Sequence, residues 1–380
     1  MSRTGRPSNT EHPVALGSFR SWLRLLRRSQ NIDRAFIPRA LFVSATTLLT
    51  SPLRLWEHVR HGRRIRNTAI HPSPIFIIGH WRSGTTHLHN LLCQDENLGS
   101  LTTFQAMAPG FCLIGDGIVK RTLARAARSR YPTRLIDNIP LTFDAPQEDE
   151  FALANLSPDS FVHTFSLPRQ APEIFARSVL FQGLSELDHS DWAARYLALL
   201  RKATLASDGR RLVVKNCAHS ARIETLLRLF PDARFIHIHR NPYEVFLSTR
   251  HMHRTVIPRS QLQRIVPAQV EAHVLQFYER LMHRYLEDRS RIPDVNLLEI
   301  RFEDLETAPL SELRRVYDGF GLPGFATAEP GIRAYLESVS GYRKNAYKLD
   351  RDVIEKVNEH WAFAFEAFGY DRLERPSVLR

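Results

Sequence analysis

Residues 74–90 read PIFIIGHWRSGTTHLHN, and they give the strongest indication of the fold. Its apolar run, residues 75–78, is short and uninterrupted, as expected for a strand buried in a parallel sheet. A loop of small residues follows at Gly79, and a helical segment begins near Thr85. A strand, a tight loop and a helix start in this order form an anion site, because backbone N–H groups converge there and the helix dipole adds positive potential.

The same loop nearly matches a nucleotide-binding motif. Gly79, Gly84 and Thr86 have the spacing of the P-loop pattern G-x-x-x-x-G-K-(S/T). Thr85 stands where that pattern has lysine, whose ammonium group binds the β- and γ-phosphates of a triphosphate. Arg82 places a cation elsewhere in the loop. The loop is therefore predicted to bind a phosphate-type group other than a triphosphate, which disfavours a P-loop kinase or NTPase.

Residues 79–86, GHWRSGTT, resemble the 5′-phosphosulfate-binding loop of sulfotransferases that use 3′-phosphoadenosine 5′-phosphosulfate (PAPS). These enzymes carry R-S-G-T-T in this loop and share the P-loop fold without its lysine. The resemblance is to the bacterial-type branch of the family that acts on small molecules or lipids. It assigns binding of the co-substrate to Arg82, Ser83, Gly84, Thr85 and Thr86.

A second segment agrees with the first. Residues 230–242, FPDARFIHIHRNP, are similar to the family's 3′-phosphate site, F-P-x-A-(K/R)-F-I-x-x-x-R-(D/N)-P, with a serine eight residues after the arginine. Here Arg240 ends a predicted strand and Ser248 lies about two turns into the next helix, so that both can hold one phosphate. Asn241 is predicted to cap that helix, and Glu244 has the spacing of a capping box.

Two weaker similarities lie nearer the C-terminus. Residues 300–305, IRFEDL, resemble the family's R-Y-E-D-L strand end, and Phe302 is predicted to stack on adenine without the hydroxyl of the usual tyrosine. Residues 341–347, GYRKNAY, are similar to the loop that closes over the nucleotide, which assigns Lys344 and Asn345 to binding of the co-substrate. The resemblance spans residues 74–370.

Strand-like segments at 74–78, 211–215, 234–239 and 295–301 alternate with helical segments. This order predicts an α/β fold, and the resemblance implies a P-loop-like three-layer sandwich around a central parallel sheet. We expect a disordered tail over residues 1–15, a helical segment over 16–70 and a sulfotransferase domain over 71–375. A mostly helical insertion over 100–205 is expected to form the acceptor site.

Composition limits the alternatives. The chain has 380 residues, 43% of them hydrophobic, which suffices for a large core. Three cysteines have neither metal-ligand nor disulfide spacing, so a reducing cytoplasm is expected. The net charge of +12 favours an anionic partner, such as a doubly phosphorylated nucleotide or a membrane surface. No nucleic-acid-binding signature accompanies this charge, and the sequence leaves the oligomeric state open.

The N-terminal segment combines an apolar part with a basic part. Residues 35–56 are apolar but are interrupted by Pro38, Arg39 and Pro52, so the uninterrupted part is expected to be too short to span a bilayer. Residues 60–66, RHGRRIR, are densely basic. This pattern is compatible with peripheral contact with the anionic inner face of the membrane, but it does not favour that contact over simple packing. The favoured interpretation is a helix packed on the domain with its basic end solvated.

Sulfuryl transfer needs fixed cations to stabilise developing charge and a base to deprotonate the acceptor. Arg82 and Lys215 are the predicted cations, and they remove the need for a metal. The acidic cluster DAPQEDEFAL, residues 144–153, resembles an acidic motif beside the family's acceptor site, which makes Glu150 and Glu148 the predicted bases. The alternative bases are histidines, namely His87, His89 and His219.

The predicted reaction is transfer of the sulfuryl group of PAPS to a hydroxyl of an acceptor. Aromatic residues concentrate in the insertion and favour a hydrophobic small molecule or lipid, although most of them are expected to be core. These residues are Phe104, Met107, Phe111, Phe143, Phe151, Phe161 and Phe165. A carbohydrate or a peptide tyrosine is the alternative acceptor. A P-loop kinase and a non-catalytic, membrane-peripheral nucleotide-binding protein are the alternative functions.

Overall fold

A computed structural model describes residues 9–10, 12–130, 142–341, 347–375 and 377–379. The strands are β1 (Ile75–Ile78), β2 (Leu98–Gly99), β3 (Arg211–Lys215), β4 (Arg234–His239), β5 (Leu297–Arg301), β6 (Tyr347–Leu349) and β7 (Ser377–Leu379). The helices from the N-terminus to the second strand are α1 (Phe19–Arg28), α2 (Ile37–Leu49), α3 (Ser51–Asn67) and α4 (Thr85–Leu92).

Helices then dominate up to the third strand. They are α5 (Thr103–Met107), α6 (Cys112–Gly115), α7 (Ile118–Arg130), α8 (Asp149–Leu156), α9 (His163–Ser166), α10 (Ala171–Ser178) and α11 (Glu186–Ala206). The remaining helices are α12 (Ile223–Leu229), α13 (Pro242–Ser260), α14 (Pro267–Asp288), α15 (Phe302–Thr307), α16 (Pro309–Phe320), α17 (Phe325–Val339), α18 (Arg351–His360) and α19 (Ala362–Phe368).

The main sheet of the described residues is parallel, with the strand order β2-β3-β1-β4-β5. The four predicted strands are confirmed, whereas β2 has only two residues and was too short for its pattern to be recognised. Strand β1 pairs with β3 on one side and with β4 on the other. The connections out of β1 therefore diverge at its carboxyl end, which is where parallel sheets of this class bind ligands.

Both faces of the sheet are covered by helices, which confirms the three-layer arrangement. On one face Ile77, Ile236 and Ile300 belong to an apolar cluster that also contains residues of α4, α16 and α17. On the other face the Phe76 ring lies 5.5 Å from Phe235 and 6.1 Å from Phe230, which follows α12. Burial of β1 on both faces explains why it is an apolar run without alternation.

The chain is divided into two compact units. Unit 1 comprises the described residues of Met1–Thr68, Leu101–Lys202 and His251–Val270. Unit 2 comprises those of Ala69–Ser100, Ala203–Arg250 and Glu271–Arg380, and it contains the parallel sheet. The N-terminal helices and most of the predicted helical insertion therefore share unit 1, in which α5–α10 are formed by residues of that insertion.

Residues 12–15 correct the extent of the predicted tail, most of which lies outside the described residues. Val14 is buried, and the ring nitrogen Nε2 of His12 lies 3.1 Å from the carbonyl oxygen of Ser260. Burial, with a smaller contribution from nearby Arg39, lowers the pKa of His12 to about 3. Residues 12–15 are therefore packed in unit 1 as neutral, apolar material, and the ordered chain begins before residue 16.

The two prolines do not break the N-terminal helices. Pro38 and Pro52 each lie in the first turn of a helix, where the backbone N–H groups have no acceptor within the helix, so the N–H that proline lacks costs no helical hydrogen bond. Among the described residues, one stretch, Arg34–Asn67, is long and apolar enough to cross a membrane by length and composition alone, and 22% of its most apolar window is buried. The expectation that the apolar part is too short is therefore wrong.

Candidate active site

The loop after β1 is shaped by Gly79. Its φ is +138°, a conformation that side chains rarely adopt, and a Cβ there would lie 2.2 Å from the carbonyl oxygen of Ile238 on β4. The Gly79 N–H donates to the Ser220 hydroxyl at 2.8 Å. The glycine therefore lets the chain turn tightly at the end of β1, and Ser220, which sequence analysis did not single out, fixes the turn.

The second glycine begins α4. Gly84 is the N-cap with φ +99°, and a Cβ there would lie 2.1 Å from the Phe302 ring. The first backbone N–H groups of α4 have no acceptor within the helix, so they point toward the loop as donors for an anion. Ser83 closes the loop internally, because its hydroxyl donates to the His80 carbonyl at 2.7 Å.

Arg82 joins the loop to the 3′-phosphate motif. Its backbone has φ +74°, unusual for a residue with a side chain, and its Nε donates to the Ser248 hydroxyl at 2.9 Å. Ser248 is buried on α13, which follows Arg240. The two motifs that the sequence places far apart therefore meet in unit 2. Strained backbone of this kind clusters at ligand sites, which agrees with the predicted role of the loop.

Arg240 lies next to the same cluster. Its guanidinium is 4.4 Å from the centroid of the Phe302 ring and forms an ion pair with Glu244. Its Nε is buried without a hydrogen-bond partner among the described residues. An unpaired buried donor on a fixed cation fits an anionic ligand, because such a donor is costly until a ligand accepts from it.

Phe302, which was predicted to stack on adenine, packs against the phosphate loop and Arg240. The ring is 8% exposed, packs on Gly84 and lies beneath the Arg240 guanidinium. Stacking on adenine stays a prediction. What the structure shows is a ring that holds the phosphate loop and the Arg240 cation together, a role that a cation–π contact and close packing explain.

The cap of α13 differs from the predicted capping box. Asn241 caps the helix as expected, accepting from the Tyr243 N–H at 3.0 Å. The Asn241 N–H, however, donates to Glu303 at 3.0 Å, and Glu244 pairs with Arg240 instead. Glu303 also accepts from the Tyr370 hydroxyl at 2.9 Å. The Arg240–Asn241 turn is thus held by Glu303 of α15 and by the C-terminal region, which no local spacing could indicate.

The other predicted residues of unit 2 lie close to these elements in sequence and register. Lys215 ends β3, is 4% exposed and is in register with Ile77, two residues before Gly79. The Thr85 hydroxyl lies 3.7 Å from the Cys217 sulfur, and Thr86 is partly buried in the first turn of α4. Lys344 and Asn345 lie outside the described residues.

The alternative histidine bases are largely packed. His89 Nε2 lies 3.3 Å from the Val213 carbonyl, and burial, with a smaller effect of Lys215, lowers its pKa to about 3. Burial also lowers the pKa of His87, against a smaller opposing effect of Glu306. His219 is fully buried, with its Nδ1 3.4 Å from the Arg222 guanidinium. His89 in particular has the contacts of a core residue.

The predicted carboxylate bases belong to unit 1, where they begin α8. Glu148 is the N-cap residue and Glu150 lies in the first turn. The Glu150 carboxylate oxygen Oε1 accepts from the Ser160 hydroxyl at 2.8 Å and from the Phe161 N–H at 2.7 Å. Asp149 accepts from the Tyr196 hydroxyl at 2.9 Å. Glu150 and Asp149 therefore each have an identified role in holding unit 1 together.

The aromatic side chains of the insertion are mostly core, as expected. Phe104, Phe111 and Phe143 pack in one buried cluster of unit 1, and Phe161 lies 5.4 Å from Phe165 in another contact. They stabilise unit 1 and do not by themselves identify an acceptor. Among the described residues, no group of three or more His, Cys, Asp or Glu side chains could hold a metal ion.

Comparison with known proteins decides between the remaining interpretations. The model of the family described as "Sulfotransferase family" matches residues 74–327, which contain both phosphate motifs. The chain belongs to the sulfotransferase family. It is therefore an enzyme that transfers a sulfuryl group, as predicted, and the kinase and the non-catalytic protein are not supported.

Two related proteins align with this chain over its whole length. They come from Mycobacterium bovis and Mycobacterium tuberculosis, and both are named omega-hydroxy-beta-dihydromenaquinone-9 sulfotransferase Stf3. Each is 31% identical over 382 residues, covering 100% of this chain and 97% of the relative. The likeness therefore includes the N-terminal helices and not only the region that matches the family model.

Solved structures confirm the fold. The sulfotransferase STF1 of Mycobacterium tuberculosis superposes with a TM-score of 0.69 at 20% identity, covering 91% of this chain and 92% of that one. The sulfotransferase STF9 of Mycobacterium avium superposes with a TM-score of 0.71 at 22% identity, covering 97% of this chain and 93% of that one. The α/β architecture predicted from the sequence is that of these bacterial sulfotransferases.

Proposed function

We propose that this sulfotransferase transfers the sulfuryl group of PAPS to a hydroxyl of a lipid or similarly hydrophobic alcohol, in the cytoplasm. The observation that carries the donor assignment is the junction of the two phosphate motifs, in which Arg82 of the loop donates to Ser248. Arg240 lies over the Phe302 ring that packs on Gly84 of the same loop, and its buried Nε has no hydrogen-bond partner among the described residues. A ligand with phosphate groups at both ends of a nucleoside matches two cations held on separate elements.

Each part of this cluster has a distinct task in the proposal. PAPS, when bound, supplies the sulfuryl group, whose bond to the phosphate oxygen breaks as the bond to the acceptor oxygen forms. Arg82 and the N–H groups at the start of α4 stabilise the negative charge that develops on the phosphate side. Lys215, buried at the end of β3, is proposed to stabilise the bridging oxygen. Arg240 and Ser248 hold the 3′-phosphate and fix the nucleotide in line.

The acceptor class is proposed from the relatives. Their name specifies a hydroxylated menaquinone, a lipid with a terminal hydroxyl, and the likeness covers 100% of this chain. A hydroxyl on a long apolar chain has no charge of its own, so the enzyme must provide both the base and the apolar surroundings. We therefore propose a terminal alcohol of an isoprenoid or a comparable lipid as the acceptor.

The direct test of this function is transfer of radiolabelled sulfate from PAPS to defined acceptors, followed by mass spectrometry of the products. We expect a sulfated product with long-chain isoprenoid alcohols and none with simple sugars or tyrosine peptides. Activity should persist in excess EDTA, since Arg82 and Lys215 supply the positive charge that a metal would. Transfer to sugars or peptides alone, or loss of activity in EDTA that magnesium restores, would contradict the proposal.

Arg240→Ala tests whether the Arg240 guanidinium binds the 3′-phosphate. We expect it to weaken binding of 3′,5′-adenosine bisphosphate by about 1.5–3 kcal/mol, the worth of a charge-assisted hydrogen bond. Binding of adenosine 5′-monophosphate, which lacks that phosphate, should change much less. Isothermal titration calorimetry with both ligands measures the difference. Equal losses for the two ligands would show that Arg240 does not read the 3′-phosphate.

The matched control is Arg351→Ala. Arg351 has the same arrangement as Arg240, with a glutamate four residues later as its ion-pair partner, but it is highly exposed on α18. It removes the same charge without touching the cluster and should leave both affinities unchanged. Glu244→Gln should act in the opposite direction to Arg240→Ala and tighten bisphosphate binding, because it removes a negative charge that pairs with Arg240.

A further inference from the structure

The face of α2 and α3 turned to solvent is unusually apolar. Six large hydrophobic side chains on it are between 55% and 77% exposed; we call them the apolar stripe: Leu41, Leu48, Leu49, Leu55, Trp56 and Val59. Outside α2 and α3, the exposed large hydrophobic side chains of the described residues are scattered: Ile118, Leu187, Val266 and Val295. Single exposed apolar residues are ordinary, but a row of them on one helical face needs an explanation.

The stripe has helical spacing. Leu41, Leu48 and Leu55 are seven residues apart, Leu49 and Trp56 are also seven apart, and Val59 is four after Leu55. Positions four and seven residues apart lie on one side of a helix, so the stripe forms a continuous face despite the turn at Thr50.

The opposite side of the same helices is fixed to unit 1. Arg39, 1% exposed, donates to the carbonyl oxygens of Gln261 at 2.7 Å and Pro258 at 3.3 Å. Glu57, also 1% exposed, pairs with Lys202 at 2.5 Å and accepts from the Leu113 N–H at 2.7 Å. Buried ion pairs and bonds of this kind are lost if the helix leaves unit 1, so the helix can present the stripe to a surface but not insert across a bilayer.

The stripe ends in positive charge. Arg63 is seven residues after Trp56 and Arg66 is seven after Val59, so both continue the same face, and Arg60, Arg63 and Arg66 are exposed. The one acidic side chain within Arg34–Asn67 is Glu57, which is buried. An apolar face that continues into exposed arginines matches an anionic lipid surface in both properties, with apolar side chains in the acyl boundary and guanidinium groups among the headgroups.

We propose that the apolar stripe, with Arg60, Arg63 and Arg66, docks unit 1 peripherally on an anionic lipid bilayer. The docking stands on exposure and charge alone and does not depend on which acceptor the enzyme uses. The sequence left open a helix packed on the domain and a helix in contact with the membrane. The structure combines features of both, because one side of the helical segment packs on unit 1 and the apolar stripe on the other side is exposed. A second copy of the chain could cover the same stripe, and that outcome is distinguished by the experiment below.

Trp56 is a built-in reporter of this docking. It is 58% exposed, whereas the four other tryptophans of the chain, Trp22, Trp81, Trp192 and Trp361, are at most 9% exposed. On addition of vesicles containing phosphatidylglycerol to the full chain, the emission should shift to shorter wavelength. Brominated acyl chains should quench it, because docked apolar side chains reach about 5–10 Å into the interface. Vesicles of phosphatidylcholine alone should have little effect, and Trp56→Phe should remove the response.

Two sets of variants separate the contributions. Arg60→Gln, Arg63→Gln and Arg66→Gln together should weaken vesicle binding at low salt by about 100-fold, at about fivefold for each arginine. Leu48→Ser with Leu55→Ser should weaken it by at least about tenfold through lost apolar contact. The matched controls, Arg333→Gln with Arg351→Gln and Leu187→Ser with Val295→Ser, change exposed residues elsewhere and should have no effect.

Three results would overturn the proposal. The first is absence of a Trp56 response on anionic vesicles while circular dichroism shows a folded chain. The second is retention on vesicles after an alkaline carbonate wash, which would indicate a spanning helix. The third is a dimer in analytical ultracentrifugation that the Leu48→Ser/Leu55→Ser variant abolishes without any vesicle binding by the parent chain. Reversible, salt-sensitive binding that responds only to the stripe and its arginines would establish the docking.

Discussion

Glu148→Gln is expected to lower kcat about 10²–10⁴-fold, the usual contribution of a general base, while the affinity for the nucleotide stays nearly unchanged. The acceptor hydroxyl must lose its proton as the bond to sulfur forms, and a carboxylate is suited to take it. The sequence predicts Glu150 and Glu148 as the bases, with Glu150 named first. The structure identifies a packing role for Glu150, whose Oε1 accepts two buried hydrogen bonds, from Ser160 and Phe161.

Glu150→Gln is the paired variant. Glutamine keeps a carbonyl oxygen that can accept both bonds but loses their charge-assisted strength, so we expect a loss of about 1 kcal/mol in the free energy of unfolding. Its kcat should fall far less than that of Glu148→Gln. Single-turnover kinetics and thermal unfolding of both variants measure the two effects. A large fall in kcat for Glu150→Gln, with normal turnover for Glu148→Gln, would reverse the assignment. Normal turnover for both would leave His87 and His219 as the next residues to replace.

The second large effect is expected from Gly79→Ala, which should lower the free energy of unfolding by about 2–5 kcal/mol. The added Cβ would lie 2.2 Å from the backbone oxygen of Ile238 on the neighbouring strand, and φ +138° is unfavourable for alanine. Neither the strand nor the loop can move without disturbing the pairing of β1 with β4. Any folded fraction should bind the nucleotide weakly, since the loop geometry places the N–H donors of α4.

Gly209→Ala separates the two causes. Gly209 also has positive φ, at +81°, but a Cβ there would meet nothing within 4 Å. It should cost only about 1–2 kcal/mol from the backbone conformation. Urea unfolding of both variants gives the comparison. If Gly79→Ala were no worse than Gly209→Ala, the close approach to Ile238 would not be what requires glycine at the phosphate loop.

Much of the fold was predictable because it depends on local patterns. An uninterrupted apolar run identified β1, since a strand buried on both faces favours apolar residues over several positions, and short β-rich segments identified β3 and β4. The phosphate loop was recognisable because its glycines, Gly79 and Gly84, have backbone conformations that side chains rarely adopt. The short strand β2 was not predicted, because two residues are too few to show the alternation of a strand.

Local spacing was less reliable where several groups compete for one partner. Glu244 has the spacing of a capping box, yet it pairs with Arg240, while Glu303 takes the capping role from another element. The two prolines of the N-terminal segment suggested interruptions, yet each lies in a first helical turn and breaks nothing. In both cases the sequence gives the chemical groups, and their partners depend on the packing of distant segments.

The α/β class, the phosphate loop and the residues of the 3′-phosphate motif follow from the sequence alone, because each depends on a few neighbouring positions. The three-dimensional packing was needed to show that Arg82 donates to Ser248, that Phe302 packs beneath the Arg240 guanidinium, and that Glu150 accepts from Ser160 and Phe161. It also decided which face of α2 and α3 stays exposed. These outcomes depend on contacts between residues that are far apart along the chain, where competing partners are chosen by packing and burial.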